Sequence, residues 1–327
     1  MWRGQNSKEV PPGLIGLEAV VQREGAPDLA HHVILQKDGS SFLLALEQIA
    51  YRQKLPGKAK PYLFYEQKEE VATFNIRSSG GQSRPRNLRK EHLRLDQSVL
   101  AQRNDPDTYP ELWQLRELYS GIRIYRDWTF GRGASVRQPQ PADLTGGWLL
   151  PDSQNLAIVL NHLQQQGVWG QIEERLTRLY PRFQRIHFQV VGGTVQLAFQ
   201  EKGLTAPISA VRVSDGTLHY LALLAVLLNP DPPPIVCLEE PELGLHPDMI
   251  PDLAELLQDA ATRCQIFVTT HSELLVSALA PDQVIVCERT DLGTTLKRLD
   301  PEQLAAWLED YTLGELWANG EIGGGRW

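Results

Sequence analysis

Between residues 12 and 75 apolar and polar positions alternate in short runs: GLIGLEAVVQ, HHVILQ, SSFLLALE and PYLFYEQKEEVATFNI. A period of two, punctuated by Gly and Pro and by the turn-like KDGS, predicts an antiparallel sheet. From about residue 98 the period lengthens. YPELWQLRELYSGIRIYRDW sets Trp113, Leu115, Leu118, Ile122 and Tyr125 at mixed spacings of three and four, which predicts a helix with an apolar stripe. NLAIVLNHLQQQ and WGQIEERLTRLY read as two more helices, and RIHFQVVGGTVQLAFQ alternates on both sides of Gly192-Gly193, the signature of a hairpin. The last third alternates in type: a helix over about 214–228, a strand at 235–239, a helix at 248–262, a strand at 265–270, a helix at 272–279 and a strand at 283–288. That order predicts an α/β fold with a parallel sheet covered on both faces. The pattern thus divides the chain into an antiparallel β part at 1–97, a helical lobe at 98–182, and a hairpin with an α/β core at 183–327.

Chemistry gathers where the predicted parallel strands end. Ile235 to Leu238 are apolar without alternation, as in a central strand buried on both faces, and Glu239, Glu240 and Pro241 follow. Ligands of open α/β sheets collect beyond the carboxyl ends of such strands. Two carboxylates held together there raise a pKa or recruit a cation, and Mg²⁺ with a nucleotide phosphate is an economical answer. One carboxylate would hold the metal and the other would act as general base on a water. Taken alone, the pair equally fits a solvated strand end.

Two further stretches have the same character. In VSDGTLHYLALLAVLL, Ser214 is a good N-cap, Gly216 permits close backbone approach, and the helix that follows is apolar nearly all round. Such a helix start is an anion site or simply a capped core helix. IFVTTHSELL is another apolar strand ending in Thr269, Thr270 and His271, with Ser272 as the next cap. If this strand neighbours the first, His271 shares the edge with Glu240, where an imidazole can bind a phosphate or the attacking water. A strand-end histidine can also be purely structural.

Composition narrows the classes. Hydrophobic content of 42% and charged content of 22% are those of a globular protein, and the net charge of −8 gives no general attraction for nucleic acid or anionic membranes. No run of about 18 apolar residues occurs, and the start MWRGQNSKEV is unlike an export signal. A cytoplasmic protein with no membrane contact is expected. Cys237, Cys264 and Cys287 form no CxxC pair and read as buried reduced thiols. The one basic cluster, RSSGGQSRPRNLRKEHLR at 77–94, is a candidate DNA contact or a solvated loop.

Together, "VSDGTLHYLALL", "LEEPELGLHP" and "VTTHSELL" resemble the second half of an ABC-type nucleotide-binding domain, and more narrowly the RecF/SMC-like bacterial ATPases. The resemblance covers 200–327 strongly and the preceding segments loosely. It implies a P-loop NTPase fold and ATP hydrolysis with Mg²⁺, the ATP being sandwiched in a dimer and the cycle coupled to DNA repair or genome defence. By this resemblance Ser214, Asp215 and Gly216 match the signature that contacts ATP held by a second protomer. Glu239 stands where the metal-binding Walker B acid sits, Glu240 where the catalytic base sits, and His271 at the switch histidine. Gly244 to His246 fall in the D-loop region, and Gln102 is a candidate for the Q-loop glutamine.

The chain departs from the family at the phosphate loop. GxxGxGK[S/T] does not occur, and the nearest string, LPGKAKPY at 55–62, lacks its first glycine. The resemblance therefore implies either a homodimer or a partner chain that carries the P-loop, weak nucleotide binding by this polypeptide alone, and apolar sheet surface left uncovered. Two alternatives remain at this stage. One is a non-catalytic remnant that binds protein or nucleic acid, and the other is a hydrolytic metal site built from Glu239, Glu240, His246 and His271.

Overall fold

A computed structural model describes residues 13–68, 71–77, 83–88, 93–94, 96–291 and 293–324. The chain forms two compact units, one comprising residues up to Ser120 together with Asp291–Thr294, the other Gly121–Thr290 and Thr295 onward.

The first unit is a six-stranded antiparallel meander in chain order: β1 (Leu14–Val21), β2 (Leu29–Asp38), β3 (Ser41–Tyr51), β4 (Leu63–Lys68), β5 (Val71–Arg77) and β6 (Ser83–Leu88). Alternation puts Leu29, Ile49, Tyr65 and Phe74 on one buried side, where Val99 and Leu100 of α1 (Val99–Gln102) and Leu112 and Leu115 of α2 (Pro110–Ser120) pack against them. Burying apolar area on this face is what holds two short helices to the sheet. The start of α1 is fixed by Glu47, fully buried, which accepts from the Val99 N–H at 2.8 Å, the Ser98 hydroxyl and His31 Nε2.

The second unit contains β7 (Arg123–Tyr125), β8 (Gln140–Pro141), α3 (Leu156–Gln165), α4 (Trp169–Leu179), β9 (Phe183–Val191), β10 (Thr194–Glu201), β11 (Ile208–Ser209), α5 (Asp215–Leu227), β12 (Ile235–Glu239), α6 (Ile250–Ala261), β13 (Gln265–Thr269), α7 (Glu273–Ser277), β14 (Ile285–Thr290), β15 (Gly293–Arg298) from Thr295 onward, α8 (Pro301–Leu304) and α9 (Leu313–Ala318). The β9–β10 hairpin turns at Gly192 and Gly193, both with positive φ. Every residue of α5 from Thr217 to Leu227 is buried, against α3, α4, α6 and the strands. A helix apolar nearly all round, with no polar stripe, has no other stable place.

The parallel sheet runs in the order β13-β12-β7, with Cys237 opposite both Phe267 and Ile124, and Leu238 opposite Val268 and Tyr125. Val236, Leu238 and Tyr125 are each 1% exposed in the core. The other face is bare: Ile124 is 55% exposed and Phe267 49%, with Cys237 half-buried between them. This corrects the expectation of a strand buried on both faces, because the helices packed on the sheet cover one side of it only. Among the described residues, no strand pairs with the outer edge of β13.

Two other expectations change. The helix expected over YPELWQLRELYSGIRIYRDW stops at Ser120, since Gly121 breaks it and the β-branched Ile122 and Ile124 favour extension into β7. Of the three cysteines none is fully buried, and Cys287 is exposed. Among the described residues, no helix is long and apolar enough to cross a membrane.

Candidate functional site at the carboxyl edge of the parallel sheet

β12 ends at Glu239 because Pro241 cannot extend the ladder. The period of two puts Glu239 and its register partner Thr269 on the bare face, in line with Cys237 and Phe267. Glu240 turns out of the strand in the left-handed region, at φ 44°, a conformation that costs a non-glycine residue about 1 kcal/mol or more. Its N–H donates to Thr269 O at 2.8 Å and its carbonyl accepts from the Leu243 N–H at 3.1 Å, which holds the turn. The result is that Glu240 Oε1 lies 3.8 Å from His271 Nε2 across neighbouring strand ends. Glu240 is the more sheltered of the two, at 32% against 77% exposure.

A third carboxylate, absent from the sequence reading, ties this edge together. Glu242 Oε1 accepts from the Thr270 hydroxyl and from the His271 N–H at 3.3 Å, and Thr270 Oγ1 accepts in turn from the Ser272 N–H at 2.9 Å. Glu242 Oε2 is buried with no partner among the described residues. The signal was present in the string "EEPE", in which every carboxylate is within one turn of the others.

The start of α5 is a separate feature. Ser214 caps it, its Oγ accepting from the Thr217 N–H at 3.1 Å, and a Cβ at position 216 would lie 2.7 Å from Gly244 O, so only glycine allows this approach. Arg137, also missed from sequence, organises the approach to the helix. It is 2% exposed and donates to Phe130 O (2.7 Å), Ala210 O (2.6 Å) and Val213 O (2.8 Å), and to the Asp215 carboxylate. Only the tertiary fold reveals this, because a lone arginine 78 residues from its partner carries no spacing signal.

Beside the α5 start opens a cleft of about 600 Å³ lined by Arg126, Trp128, Phe130, Gly216, His219 and Gly244, among others. Trp128 donates its indole N–H to Glu239 O at 2.9 Å and rests its ring on His219, 4.6 Å between centroids. His219 is 2% exposed, and because Leu243 O can only accept, the 2.9 Å contact fixes the proton on Nδ1. Nε2 is then a bare acceptor, without a partner among the described residues. Burial pushes the imidazole pKa down to about 4, with the Leu243 hydrogen bond acting weakly the other way. The folded value lies below the unfolded one, so between roughly pH 6.5 and 4 the unfolded chain binds a proton that the folded one refuses. Stability is therefore full above this window and falls with pH through it, by on the order of 2 kcal/mol between pH 7 and pH 5. Urea midpoints at the two pH values will show this, and His219→Phe will remove that part of the pH dependence.

The matching protein family is described as "AAA domain, putative AbiEii toxin, Type IV TA system", and the match spans residues 77–277, more than half of the chain. The chain belongs to this family. Within this AAA-type, ATPase-like domain the matched span holds the acidic tip, His271, the α5 start and Arg137. Solved structures similar to it include SMC heads. An SMC head bound to the C-winged helix domain of ScpA is 11% identical, over 86% of this chain and 78% of that one, with a TM-score of 0.40. The SMC head domain from Thermotoga maritima is 11% identical, over 83% and 74%, with a TM-score of 0.33. An Smc head with an extended coiled coil, bound to the C-terminal domain of ScpA and derived from Pyrococcus furiosus, is 11% identical, over 88% and 81%, with a TM-score of 0.39. No curated protein matches the chain.

The AAA domain brings Glu239, Glu240 and His271 to one sheet edge, and Gly216 of the α5 start, next to Ser214 and Asp215, lies against Gly244 O. Gln102 belongs to the first unit, where its amide donates to Arg94 O (2.7 Å) and Gln97 O (2.9 Å) and accepts from the Arg94 N–H (2.6 Å). Of the basic cluster, the side chains of Arg84, Arg86 and Arg89 lie outside the described residues. Among the described residues no group of three or more His, Cys, Asp or Glu side chains gathers to hold a metal, so His246 does not complete a four-residue metal site.

Proposed function

We propose that the chain is an ATP-hydrolysing subunit of the ABC type, RecF/SMC-like, that supplies two half-sites to an ATP-sandwiching dimer. The observation that carries this is the meeting of Glu240 and His271 at the carboxyl edge, with Glu239 beside them on the bare face. Glu240 accepts the proton of the attacking water and His271 orients that water or the terminal phosphate. Mg²⁺ fits here in the sense that it keeps its own waters and asks for one or two carboxylates plus phosphate oxygens, and Glu239 offers an exposed one. Bound, it would neutralise phosphate charge. Ser214, Asp215 and Gly216 act on the nucleotide of the other protomer, and Gln102 is the candidate Q-loop residue.

The bare row Ile124, Cys237 and Phe267 and the open edge of β13 support a further element of this reading. A strand with a phosphate loop and its helix, carried by a partner or another segment, pairs with that edge and covers that face. The toxin description of the family favours genome defence over DNA repair as the setting, in the cytoplasm, with DNA contact through residues 77–94. The bare face also suits a non-catalytic docking module, which ATP turnover separates from the first reading. The test is ATP hydrolysis by the chain alone and by a form extended with a strand, phosphate loop and helix. The chain alone will show little turnover and the extended form will hydrolyse ATP, with Ser214→Arg abolishing it. An extended form that binds ATP but hydrolyses it equally well with Ser214→Arg would remove the shared-site reading.

A further inference from the structure

The β12–β13 ladder ends where the candidate site begins. Its last main-chain link runs from the Glu240 N–H to Thr269 O at 2.8 Å, and beyond it Pro241 has no N–H to offer. His271 lies two residues past Thr269, and with a side chain 77% exposed it has little packing to hold it. Glu242 reaches that far. Its Oε1 accepts from the Thr270 hydroxyl and, at 3.3 Å, from the His271 N–H, in place of ladder bonds that the two strand ends no longer make. Thr270 Oγ1 accepts in turn from the Ser272 N–H at 2.9 Å, and the Ser272 hydroxyl caps α7 by accepting from the Leu275 N–H at 3.2 Å. On its own side Glu242 is set by two overlapping turns, Leu243 N–H to Glu240 O and Leu245 N–H to Glu242 O, each 3.1 Å. One oxygen therefore joins the turn that carries Glu240 to the turn that carries His271. The other, Oε2, is buried without a donor among the described residues, a cost that an apolar side chain here would avoid.

An acceptor kept at that cost has a task beyond packing. We infer that Glu242 is a positioning residue, which sets the 3.8 Å separation of Glu240 Oε1 and His271 Nε2 without itself touching the nucleotide or moving a proton. This rests on the reading above, in which Glu240 and His271 act on the attacking water, and it adds the group that holds the two in register. A displacement of about 1 Å at reacting groups costs on the order of 10²-fold in rate. A loosened His271 turn therefore appears in turnover rather than in nucleotide binding.

The test has two arms. In the form extended with a phosphate loop, Glu242→Ala will lower kcat by about ten- to a hundredfold and leave KM for ATP within about threefold of the parent. Glu242→Gln keeps the carbonyl acceptor and will hold kcat within about threefold of the parent, which a proton carrier or metal ligand at this position would not allow. Thr270→Val will lose as much as Glu242→Ala, and the double variant no more than either, because both cut one link. In the full chain as it stands, amide hydrogen exchange followed by NMR will be about tenfold faster or more at the His271 N–H in Glu242→Ala than in the parent or Glu242→Gln, with the α5 amides equally protected in all three. Should Glu242→Ala fail to fold, Thr270→Val and Glu242→Gln carry both arms. Parental kcat in Glu242→Ala and Thr270→Val, a loss in Glu242→Gln as deep as in Glu242→Ala, or a His271 amide equally protected throughout overturns the inference. The reading beneath it fails on a different result, parental turnover in Glu240→Gln, whichever way the Glu242 variants behave.

Discussion

In a form that carries a phosphate loop, Glu240→Gln will lower ATP turnover by roughly 10²- to 10⁴-fold while ATP stays bound, the amide being unable to take a proton from water. The geometry makes the comparison sharp. Glu240 occupies left-handed backbone at φ 44°, and Gln keeps both that strain and the side-chain length. Glu240→Gly removes the carboxylate and the strain together, so it will raise stability by about 1 kcal/mol and lose as much turnover as Gln. Stability that rises as activity falls marks a residue kept for chemistry. Single-turnover hydrolysis and urea unfolding measure the two sides, and turnover by Glu240→Gln within twofold of the parent would dismiss Glu240 as the base.

Much of this edge was legible in the chain itself. Four apolar residues ended by two glutamates and a proline fixed where β12 stops, and the Ser214 cap fixed where α5 starts. The alternation on both sides of Gly192-Gly193 gave the β9–β10 hairpin. What was not legible has a common cause. The apolar run Ile235–Leu238 looks the same whether one face is covered or two, so the bare row Ile124, Cys237 and Phe267 emerges only from register. β7 is three residues long, too short for a period of two to show against the helix before it. Arg137 owes its setting to partners far away in sequence, which no local pattern records.

Arg137 leads to the largest expected loss of stability. The residue is 2% exposed and its guanidinium fork satisfies the carbonyls of Phe130, Ala210 and Val213, three acceptors that converge from the strap after β7 and the approach to α5. Arg137→Met keeps most of the volume and leaves those acceptors buried without donors, at about 1–3 kcal/mol for each one that water cannot reach. A loss of roughly 3 kcal/mol or more is the expected outcome. Arg137→Lys recovers only a fraction of it, because one ammonium cannot reproduce a planar fork. Asp215→Ala will cost less than about 1 kcal/mol, since that carboxylate is 65% exposed and water replaces the ion pair. Denaturant-dependent hydrogen exchange at the α5 amides reads all three, and an Arg137→Met protein no weaker there than Asp215→Ala would show that the acceptors find water and that the fork is dispensable.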